Sequence, residues 1–553
     1  MNGDTAATAP QMLRIHSGMA MDTLPAPDEV GGKAWGLARL ATAGINIPPA
    51  FVLGTAVCRD YFAHGRKLSK ALREAIQQQV RWLEDLTGSA FGSRRNPLLL
   101  SVRSGAPVSM PGMMETLLNI GINDESIRGL IRCTGNPRLA WDSYRRLLLG
   151  YAEVMHPGRI ATLEAIQSGH LKQQGLRSTG EMDSMAFRQL CTELLQNFHG
   201  VTGDEFPRDP WQQLYRSVAA VFDSWFSPRA GTYRTINGID ESMGTACLVQ
   251  VMVFGNAGSD SGSGVGFTRN PADGKNELYI DYLSNAQGED IVSGRHDVED
   301  AGDLRRKLPG VYAELGALRT RLETEFADMQ DFEFTVQQGR LYLLQTRNGK
   351  RTPLAALRIA IDMVDEQRIT APEALAQIEG IDPATLSITS LAANRDEANW
   401  SNAIAASTGV AAGVIALDEH RAREMADAGQ PVVLVRQEIS TDDIAAMHCA
   451  VAVVTVTGGR TSHAAVVARQ LGIACVVGCR SMHIDMDKRQ VHIGDDICTE
   501  GSWLTVDADH GRVCAGHLEI ERHRPDDLIR RIEEWRTNTP PAAKDATGTP
   551  VAE

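Results

Sequence analysis

Residues 455–466 read TVTGGRTSHAAV, and the patterns on either side of this stretch decide the fold of the C-terminal part of the chain. The apolar run AVAVVTV before the glycine pair is typical of a buried strand, and HAAVVARQL after it is typical of a helix. Thr461 or Ser462 suits the N-cap of that helix, and Gly472 suits its C-terminal end. The sequence therefore predicts a strand, a glycine turn and a helix that carries His463 in its first turn.

This position of His463 favours one kind of chemistry. The unpaired N–H groups and the dipole at a helix start attract anions and disfavour a protonated imidazole. A neutral imidazole is a nucleophile, and a phosphoryl group on it would lie among backbone N–H groups and the hydroxyls of Thr461 and Ser462. A histidine that only caps the helix or fills a crevice is the commoner case and stays open here. A metal ligand is the weakest interpretation because no partner lies at ligand spacing.

Strands and helices alternate around this motif. The polar stretch 384–405 reads as a linker, and the chain from about residue 519 reads as a charged tail that frays. Helical patterns are predicted over 59–86, 121–245 and from 354, and a capping box at Thr370 and Glu373 begins a further helix. Buried strands are predicted at 97–105, 246–255, 264–271, 431–436, 450–456 and 474–478.

A hairpin is predicted from DFEFTV at 331–336, the turn QQGR, and LYLLQTR at 341–347. Because side chains alternate across a strand, Asp331, Glu333 and Thr335 share one face, and the phenylalanines between them share the other. On the return strand, Gln345 and Arg347 lie on one face. The polar face near the open end of this hairpin therefore has the composition of a functional site.

A phosphohistidine needs a phosphoryl donor, and the Walker motif GxxxxGK[ST] is absent from the sequence. Lys33 follows a glycine pair, and Arg103 ends a strand before a loop rich in glycine, serine and methionine. Cations neutralise phosphates, and hard oxygen ligands such as those of the hairpin hold Mg²⁺ on phosphate oxygens. Taken singly, Lys33 is typical of a surface lysine, Arg103 of a salt-bridge partner, and the hairpin acids of a solvated strand face. Their joint presence indicates a nucleotide site.

Composition limits the class of protein. The chain has 553 residues, a net charge of −14, a pI near 5.5 and 43% hydrophobic residues, which predicts about three or four globular domains and argues against nucleic acid as the main partner. Nine cysteines lie scattered without a CxxC pair, which favours a reducing compartment. We find no signal-peptide pattern and no run of 18 apolar residues, so the expected location is cytoplasmic, without a membrane partner.

Several long motifs resemble the pyruvate phosphate dikinase family, within the wider group of phosphoenolpyruvate-utilising enzymes. GGRTSHAAVVARQLGIACVVG resembles the phosphohistidine signature of that group. GGKAWGLARLATAGINIPPAFVL, SVRSGAPVSMPGMMETLLNIGIND and DMQDFEFTVQQGRLYLLQTRNGKRT resemble its ATP-grasp nucleotide-binding domain. The resemblance implies an α/β and α+β multidomain chain in which an ATP-grasp domain precedes a swivelling α/β phosphohistidine domain. The expected segments are a disordered lead (1–11), the ATP-grasp domain (12–350) with a helical insert (about 121–245), a helical linker (351–405), the phosphohistidine domain (406–518) and a charged, Pro/Ala/Thr-rich tail (519–553).

The resemblance also implies roles for individual residues. Lys33 and Arg103 would contact nucleotide phosphates, Arg347 would assist phosphoryl transfer, and His463 would carry the phosphoryl group. Asp281, Asp331, Glu333 and Gln345 would serve nucleotide binding, with Glu333 and Gln345 as Mg²⁺ ligands. In the family's chemistry the γ-phosphoryl of ATP passes to inorganic phosphate and the β-phosphoryl to histidine, which leaves AMP and pyrophosphate.

The departures from the family pattern raise further expectations. Asp281 stands where the family usually has glutamate, Arg460 stands where it usually has methionine, and Thr461 matches a threonine that is phosphorylated for regulation in some members. The family's third domain is a (β/α)₈ barrel of about 250 residues, and fewer than 40 residues follow position 518. We therefore expect the phosphoryl acceptor on a separate subunit, or a non-pyruvate acceptor, and a homodimer is compatible with the resemblance. The alternative is a truncated regulatory or nucleotide-binding relative that completes no transfer.

Overall fold

The computed structural model describes residues 12–21, 23–108, 110, 114–292, 298–392, 398–439, 443–460 and 462–538, with the backbone alone at Ile236, Val292 and His463. The predicted disordered lead 1–11, Thr461 and the end of the chain after residue 538 lie outside the described residues. The chain divides into two compact units. The first comprises Met1–Ser261 and Thr335–Thr346, and the second comprises Gly262–Phe334 and Arg347–Glu553.

The first unit contains a five-stranded antiparallel sheet with helices packed around it. The strands of this unit that precede residue 262 are β1 (Met12–Ile15), β2 (Ala50–Leu53), β3 (Ala90–Phe91), β4 (Pro97–Leu98), β5 (Leu100–Gly105), β6 (Thr116–Ile120) and β7 (Ala246–Val251). Five of them form the sheet in the order β1-β2-β7-β5-β6. The helices are α1 (Pro27–Val30), α2 (Gly32–Thr42), α3 (Thr55–Ala63), α4 (Lys70–Thr87), α5 (Ser126–Thr134), α6 (Pro137–Met155), α7 (Ile160–Gln173), α8 (Ser184–Thr202), α9 (Pro210–Ser224) and α10 (Pro228–Ile236).

Two helical predictions for this unit can be compared with the structure. Helices α5 to α10 occupy most of 121–245, so the prediction that this segment is mainly helical is confirmed. The segment 59–86 is mostly helical, as predicted, and it is divided between α3 and α4. Gly65 and Arg66 between them have φ values of 71° and 58°. A left-handed backbone cannot continue a right-handed helix, and this explains the break.

The predicted hairpin is confirmed as β10 (Gln330–Gln337) and β11 (Arg340–Asn348), which follow β8 (Gly262–Phe267) and β9 (Tyr279–Ser284). These strands form a sheet in the order β11-β10-β8-β9. The rings of Phe332 and Phe334 are buried, as the alternation predicts. Gly264 and Gly266 of β8 leave room for these rings, since a Cβ at either position would overlap one of them.

The remaining strands, all in the second unit, are β12 (Ile388–Leu391), β13 (Ser401–Asn402), β14 (Ile404–Ala405), β15 (Val410–Ala416), β16 (Val432–Arg436), β17 (Ala450–Thr455), β18 (Ala474–Val477), β19 (Met482–Asp485), β20 (Gln490–Ile493), β21 (Asp496–Thr499), β22 (Trp503–Asp507), β23 (Arg512–Ala515) and β24 (Ile520–His523). Eight of them form a mixed sheet in the order β13-β23-β22-β15-β16-β17-β18-β14. Strands β15, β16, β17 and β18 run parallel at its centre. The helices are α11 (Gly288–Val292), α12 (Ala301–Lys307), α13 (Pro309–Phe326), α14 (Pro353–Asp365), α15 (Ala371–Gln377), α16 (Glu419–Asp427), α17 (Ile444–Cys449), α18 (His463–Leu471) and α19 (Asp526–Asn538).

The segments predicted as linker and tail pack into this unit. The capping box at Thr370 and Glu373 begins α15 as predicted. The prediction that the chain frays from about residue 519 is wrong as far as residue 538. There β24 pairs with β12, and Ile529 and Ile532 of α19 are buried. The prediction relied on the charged composition and overlooked the two buried isoleucines, which lie three residues apart on one face of the helix.

Within the described part of the chain, we find no helix whose length and apolar character would let it span a lipid bilayer.

Candidate functional site

The helix that begins at His463 is formed as the sequence predicts. Ser462 is its N-cap, and the Ser462 hydroxyl accepts a hydrogen bond from the Ala465 N–H at 3.4 Å. Gly472 ends the helix in a left-handed conformation with φ of 67°. The first turn of this helix therefore has the unpaired backbone N–H groups that suit an anion at a helix N-terminus. The structure selects Ser462 from the two predicted N-cap residues.

The loop before this helix lies on one face of the β8–β9 pair. Phe267 and Tyr279 are cross-strand partners, and Asp281 follows two residues after Tyr279, so all three share a face. The Asp281 side chain is only 2% exposed. A Cβ placed on Gly459 would lie 3.6 Å from Asp281 Oδ2, which is ordinary contact distance. The predicted nucleotide residue Asp281 is thus brought to the loop that leads into His463.

Arg469 fixes the shape of this loop from the far end of the helix. It is fully buried, and its Nη1 donates hydrogen bonds to the Ala406 carbonyl at 2.8 Å and the Arg460 carbonyl at 2.9 Å. Burial lowers the pKa of the Arg469 guanidinium, although Tyr279 and Asp281 act in the opposite direction. Sequence reasoning missed Arg469.

A signal for Arg469 was present in the sequence. In HAAVVARQL, Arg469 follows Ala465 by four positions and Ala468 by one, and both alanines are buried. Helical periodicity therefore places an arginine on the apolar stripe of α18, where a charged residue needs a specific reason to be.

Asp331 and Arg347 form an ion pair at the open end of the hairpin. Arg347 Nε lies 2.7 Å from Asp331 Oδ2, and Asp331 is only 6% exposed. Burial raises the pKa of Asp331, while Arg347 and Arg469 act to lower it. Asp331 in turn raises the pKa of Arg347. The interpretation of Asp331 as part of a solvated strand face is wrong, because packing covers this end of the strand.

The Asp331–Arg347 ion pair is electrostatically coupled to Glu333 on the same strand and to Arg469 on α18. Glu333 is half-buried on the same strand and raises the pKa of both Asp331 and Arg347. Arg469 and Asp331 affect each other's pKa, which places the hairpin acids within electrostatic reach of α18. The second unit thus contains four predicted site residues, of which one lies at the loop before His463 and three are coupled to one another and, through Asp331, to Arg469 of α18. They are Asp281, Asp331, Glu333 and Arg347.

The first unit gathers the other three predicted residues by close backbone packing. Gly31 has φ of 79°, and a Cβ there would overlap the Gly105 carbonyl at the end of β5. Gly105 follows Arg103 by two residues on β5, and a Cβ on Gly105 would lie 3.8 Å from Lys33 Cβ. A Cβ on Gly36 would lie 3.2 Å from the Thr346 carbonyl, next to Gln345. Glycine thus allows helix α2, which carries Lys33, to approach both β5 and β11.

The donor set for a divalent cation can be tested on these residues. Among the described residues, no group of three or more His, Cys, Asp and Glu side chains could hold a metal ion. Glu333 and Gln345 supply a carboxylate and an amide oxygen, which are hard ligands that suit Mg²⁺. Each is a donor type that Mg²⁺ accepts beside its waters and the oxygens of substrate phosphates.

Comparisons with known proteins match two segments of the chain. Residues 66–308 match the family described as "Pyruvate phosphate dikinase, AMP/ATP-binding domain", and residues 428–511, which include His463, match "PEP-utilising enzyme, mobile domain". The comparisons support the resemblance inferred from the motifs at the level of these two domains.

Curated relatives named pyruvate, phosphate dikinase are similar over most of the chain. The Clostridium symbiosum protein is 40% identical over 92% of this chain and 58% of its own length. The Rhizobium meliloti protein is 38% identical over 94% and 59%, and the Zea mays protein named pyruvate, phosphate dikinase 2 is 41% identical over 88% and 55%. The chain therefore spans little more than half the length of these relatives. A solved Enzyme I structure aligns with 19% of the chain at 25% identity and a TM-score of 0.13, which is too low for a comparison of folds.

Proposed function

We propose that this chain is an ATP-dependent phosphotransferase that forms phosphohistidine at His463. The observation that carries the proposal is the contact of the loop before His463 with the strand face that holds Asp281, beside the Asp331–Arg347 ion pair. This arrangement combines a helix start suited to a phosphorylated side chain with charged groups suited to a polyphosphate. The similarity to proteins named pyruvate, phosphate dikinase points to the same class of reaction.

The proposed reaction has two transfers. Inorganic phosphate attacks the γ-phosphorus of ATP, which gives pyrophosphate and leaves ADP at the site. An imidazole nitrogen of His463 then attacks the β-phosphorus, so that a P–N bond forms while the P–O bond to AMP breaks. The imidazole must be neutral to attack, and the helix start disfavours its protonated form. The Ser462 hydroxyl and the first-turn N–H groups then hold the phosphoryl oxygens.

The other predicted residues have supporting roles in this proposal. Lys33 and Arg103 bind the nucleotide phosphates, and Arg347 stabilises charge on the phosphoryl group in transit. Asp331 orients Arg347 through the ion pair described above. Glu333 and Gln345 would hold Mg²⁺, which neutralises charge on the phosphate oxygens when it is bound.

The final acceptor belongs to the same proposal. None of the sheets formed by the described residues is a closed barrel of eight parallel strands. We propose that the phosphoryl group of His463 passes to its final acceptor outside the described residues, either on a separate subunit or with an acceptor other than pyruvate. Thr461 would modulate the phosphorylation of His463 if it is modified, because it adjoins the N-cap of α18.

The test uses the full chain and ATP labelled separately at the β and γ positions, with and without inorganic phosphate. We expect the β label on His463, no stable γ label on the protein, and no label on His463→Ala. His523→Ala is the matched control, because His523 is an exposed histidine of the same unit on β24. It should be labelled like the wild type. Chelation of divalent cations should abolish labelling.

Three outcomes would contradict parts of the proposal. Labelling by the γ phosphate alone would replace the dikinase reaction with direct kinase chemistry. Nucleotide binding without any label would favour the regulatory alternative. Pyruvate added to the labelled protein should leave the label in place, and formation of phosphoenolpyruvate would show that the acceptor half-reaction needs no further protein.

A further inference from the structure

Two arginines on either side of His463 lie over an aromatic pair of the β8–β9 face. The Arg460 guanidinium lies 5.1 Å from the centre of the Tyr279 ring, and the Arg469 guanidinium lies 5.4 Å from the centre of the Phe267 ring. The two rings are cross-strand partners with centroids 6.1 Å apart. The two contacts therefore form one continuous layer between the loop 458–460, the helix α18 and the sheet.

The aromatic rings are the main close partners of these charges. Among the described residues, neither guanidinium forms an ion pair within 4 Å, and Arg460 Nε, Arg469 Nε and Arg469 Nη2 have no hydrogen-bond partner. A cation over an aromatic face is attracted by the ring quadrupole, most strongly when water is excluded. Asp281 and Asp331 act on Arg469 only at longer range. Stacking on Tyr279 is thus the specific side-chain contact that locates Arg460, and stacking on Phe267 locates Arg469 together with its two hydrogen bonds to backbone carbonyls.

The two arginines are also connected to each other. The Arg469 Nη1 atom donates to the Arg460 carbonyl, so the position of one arginine depends on the other. The Tyr279 hydroxyl donates to the Ala405 carbonyl at 3.3 Å, and the Arg469 Nη1 atom donates to the neighbouring Ala406 carbonyl. Loop, helix and the segment before β15 therefore meet at the same two rings.

We propose that Arg460 is a positioning residue. Together with Arg469, Phe267 and Tyr279 it forms an arginine clasp that seats the loop 458–460 on the β8–β9 face and so fixes where His463 is presented. The inference rests on the proposed function. It deepens that function by assigning a role to the arginine that stands where the resembling family usually has methionine. Arg460 acts through the backbone it anchors, not by contact with the reacting atoms.

The first measurement is the rate of His463 labelling at saturating ATP. Arg460→Met and Tyr279→Leu should each slow labelling by about three- to tenfold, the effect expected for loss of one partly desolvated cation–π contact. The KM for ATP should not change, because neither side chain is proposed to bind nucleotide. The double variant should be no slower than the slower single variant, since both changes remove the same contact. Tyr279→Phe retains the ring and should keep most of the rate.

The matched control is Arg340→Met. The Arg340 guanidinium also lies 5.1 Å from a tyrosine ring, that of Tyr342, but it is exposed beside the hairpin turn. This variant should label His463 at the wild-type rate. A clear slowing would show that loss of any arginine–tyrosine contact disturbs the protein, and it would overturn the assignment to the clasp.

The second measurement does not depend on phosphorylation. Hydrogen–deuterium exchange of peptides that cover 456–466 should be faster in Arg460→Met and Tyr279→Leu than in the wild type and Arg340→Met. Unchanged exchange in both clasp variants would overturn the inference even if His463 is labelled normally. Faster exchange with an unchanged labelling rate would show a contact that does not position His463, and would also overturn it. If the wild type is not labelled at all, the proposed function fails first, and exchange alone then decides whether the clasp exists.

Discussion

Arg269 and Arg469 are both fully buried in the second unit, yet their surroundings are opposite. Arg269 donates from Nε and Nη2 to the two oxygens of Glu323, both at 3.0 Å, and from Nη2 to Glu366 at 2.7 Å. Arg469 has two backbone carbonyls and the Phe267 ring. One guanidinium is neutralised by hydrogen-bonded carboxylates, and the other is not.

This difference in carboxylate partners indicates that Arg269 stabilises the fold and that Arg469 contributes to the candidate site. Burial acts to lower the pKa of Arg269, but Glu323 and Glu366 outweigh it and raise that pKa above its ordinary value. Burial leaves the pKa of Arg469 lowered. A charged group kept in an unfavourable environment needs a compensating use, and perturbed groups cluster at functional sites. Arg469 has such a use at the loop that leads into His463.

Arg269→Met should give the largest effect on stability. It leaves Glu323, which is 1% exposed, without its hydrogen-bonded arginine and with Arg368 Nε at 3.8 Å, and removal of one member of a buried pair destabilises by about 3–5 kcal/mol. The measurement is chemical denaturation followed by circular dichroism. The double variant Arg269→Met with Glu323→Leu should recover most of the loss, because an apolar pair needs no desolvated charge. Equal loss in the single and double variants would contradict the role given to the ion pair.

Arg469→Met should have a smaller effect on stability and a larger one on function. It removes two hydrogen bonds but also a charge that burial disfavours, so we expect a net loss of about 1 kcal/mol. Labelling of His463 should fall by about tenfold or more, since the loop loses its support at the Arg460 carbonyl. Arg269→Met, assayed below its melting temperature, should be labelled at nearly the wild-type rate. The comparison fails if the two variants lose stability and labelling in the same proportion.

The carboxylates near the two arginines should give pH dependences of opposite sign. Burial acts to raise the pKa of Glu366, but hydrogen bonds from Arg269 and Arg368 lower it, so its stabilisation is present above about pH 4.3 and is lost as the pH falls through the folded-state value. Burial raises the pKa of Asp331, so its contribution is present below about pH 3.9 and is lost as the pH rises through the folded-state value.

Melting temperatures between about pH 3 and 6 test this smallest effect. Glu366→Gln should reduce the loss of stability on acidification. Asp331→Asn should remove the part of the protein's stability that declines as the pH rises through the folded-state pKa of Asp331. Identical pH profiles for the wild type and both variants would show that neither carboxylate is shifted in the direction given.

The hairpin shows what the sequence can and cannot predict. Alternation in DFEFTV correctly places Phe332 and Phe334 on a buried face, because the period of two follows from strand geometry alone. The same pattern does not show what covers the opposite face, so the burial of Asp331 could not be predicted from it. Its cover depends on residues far away in sequence, and no local pattern encodes that packing.

The start of α18 also separates local features, which the sequence predicts, from contacts between distant segments, which it does not. The N-cap and C-cap chemistry of Ser462 and Gly472 is local, so the helix ends could be predicted. The contacts of Arg460 with Tyr279 and of Arg469 with Phe267 join residues 181 and 202 positions apart, and no local sequence pattern near either arginine predicts its aromatic partner. The grouping of the phosphate-binding candidates came from the family resemblance, and periodicity did not predict it.

The division of the chain has a consequence for biosynthesis. The first unit takes Thr335–Thr346 from the far side of Gly262–Phe334, a segment that belongs to the second unit. A nascent chain that has passed Ser261 therefore still lacks part of its first unit. At about 5–20 residues per second it waits several seconds before that part is made. During this interval the partly built first unit is a natural client for chaperones, and synonymous codons that slow translation between positions 262 and 346 would lengthen its exposure.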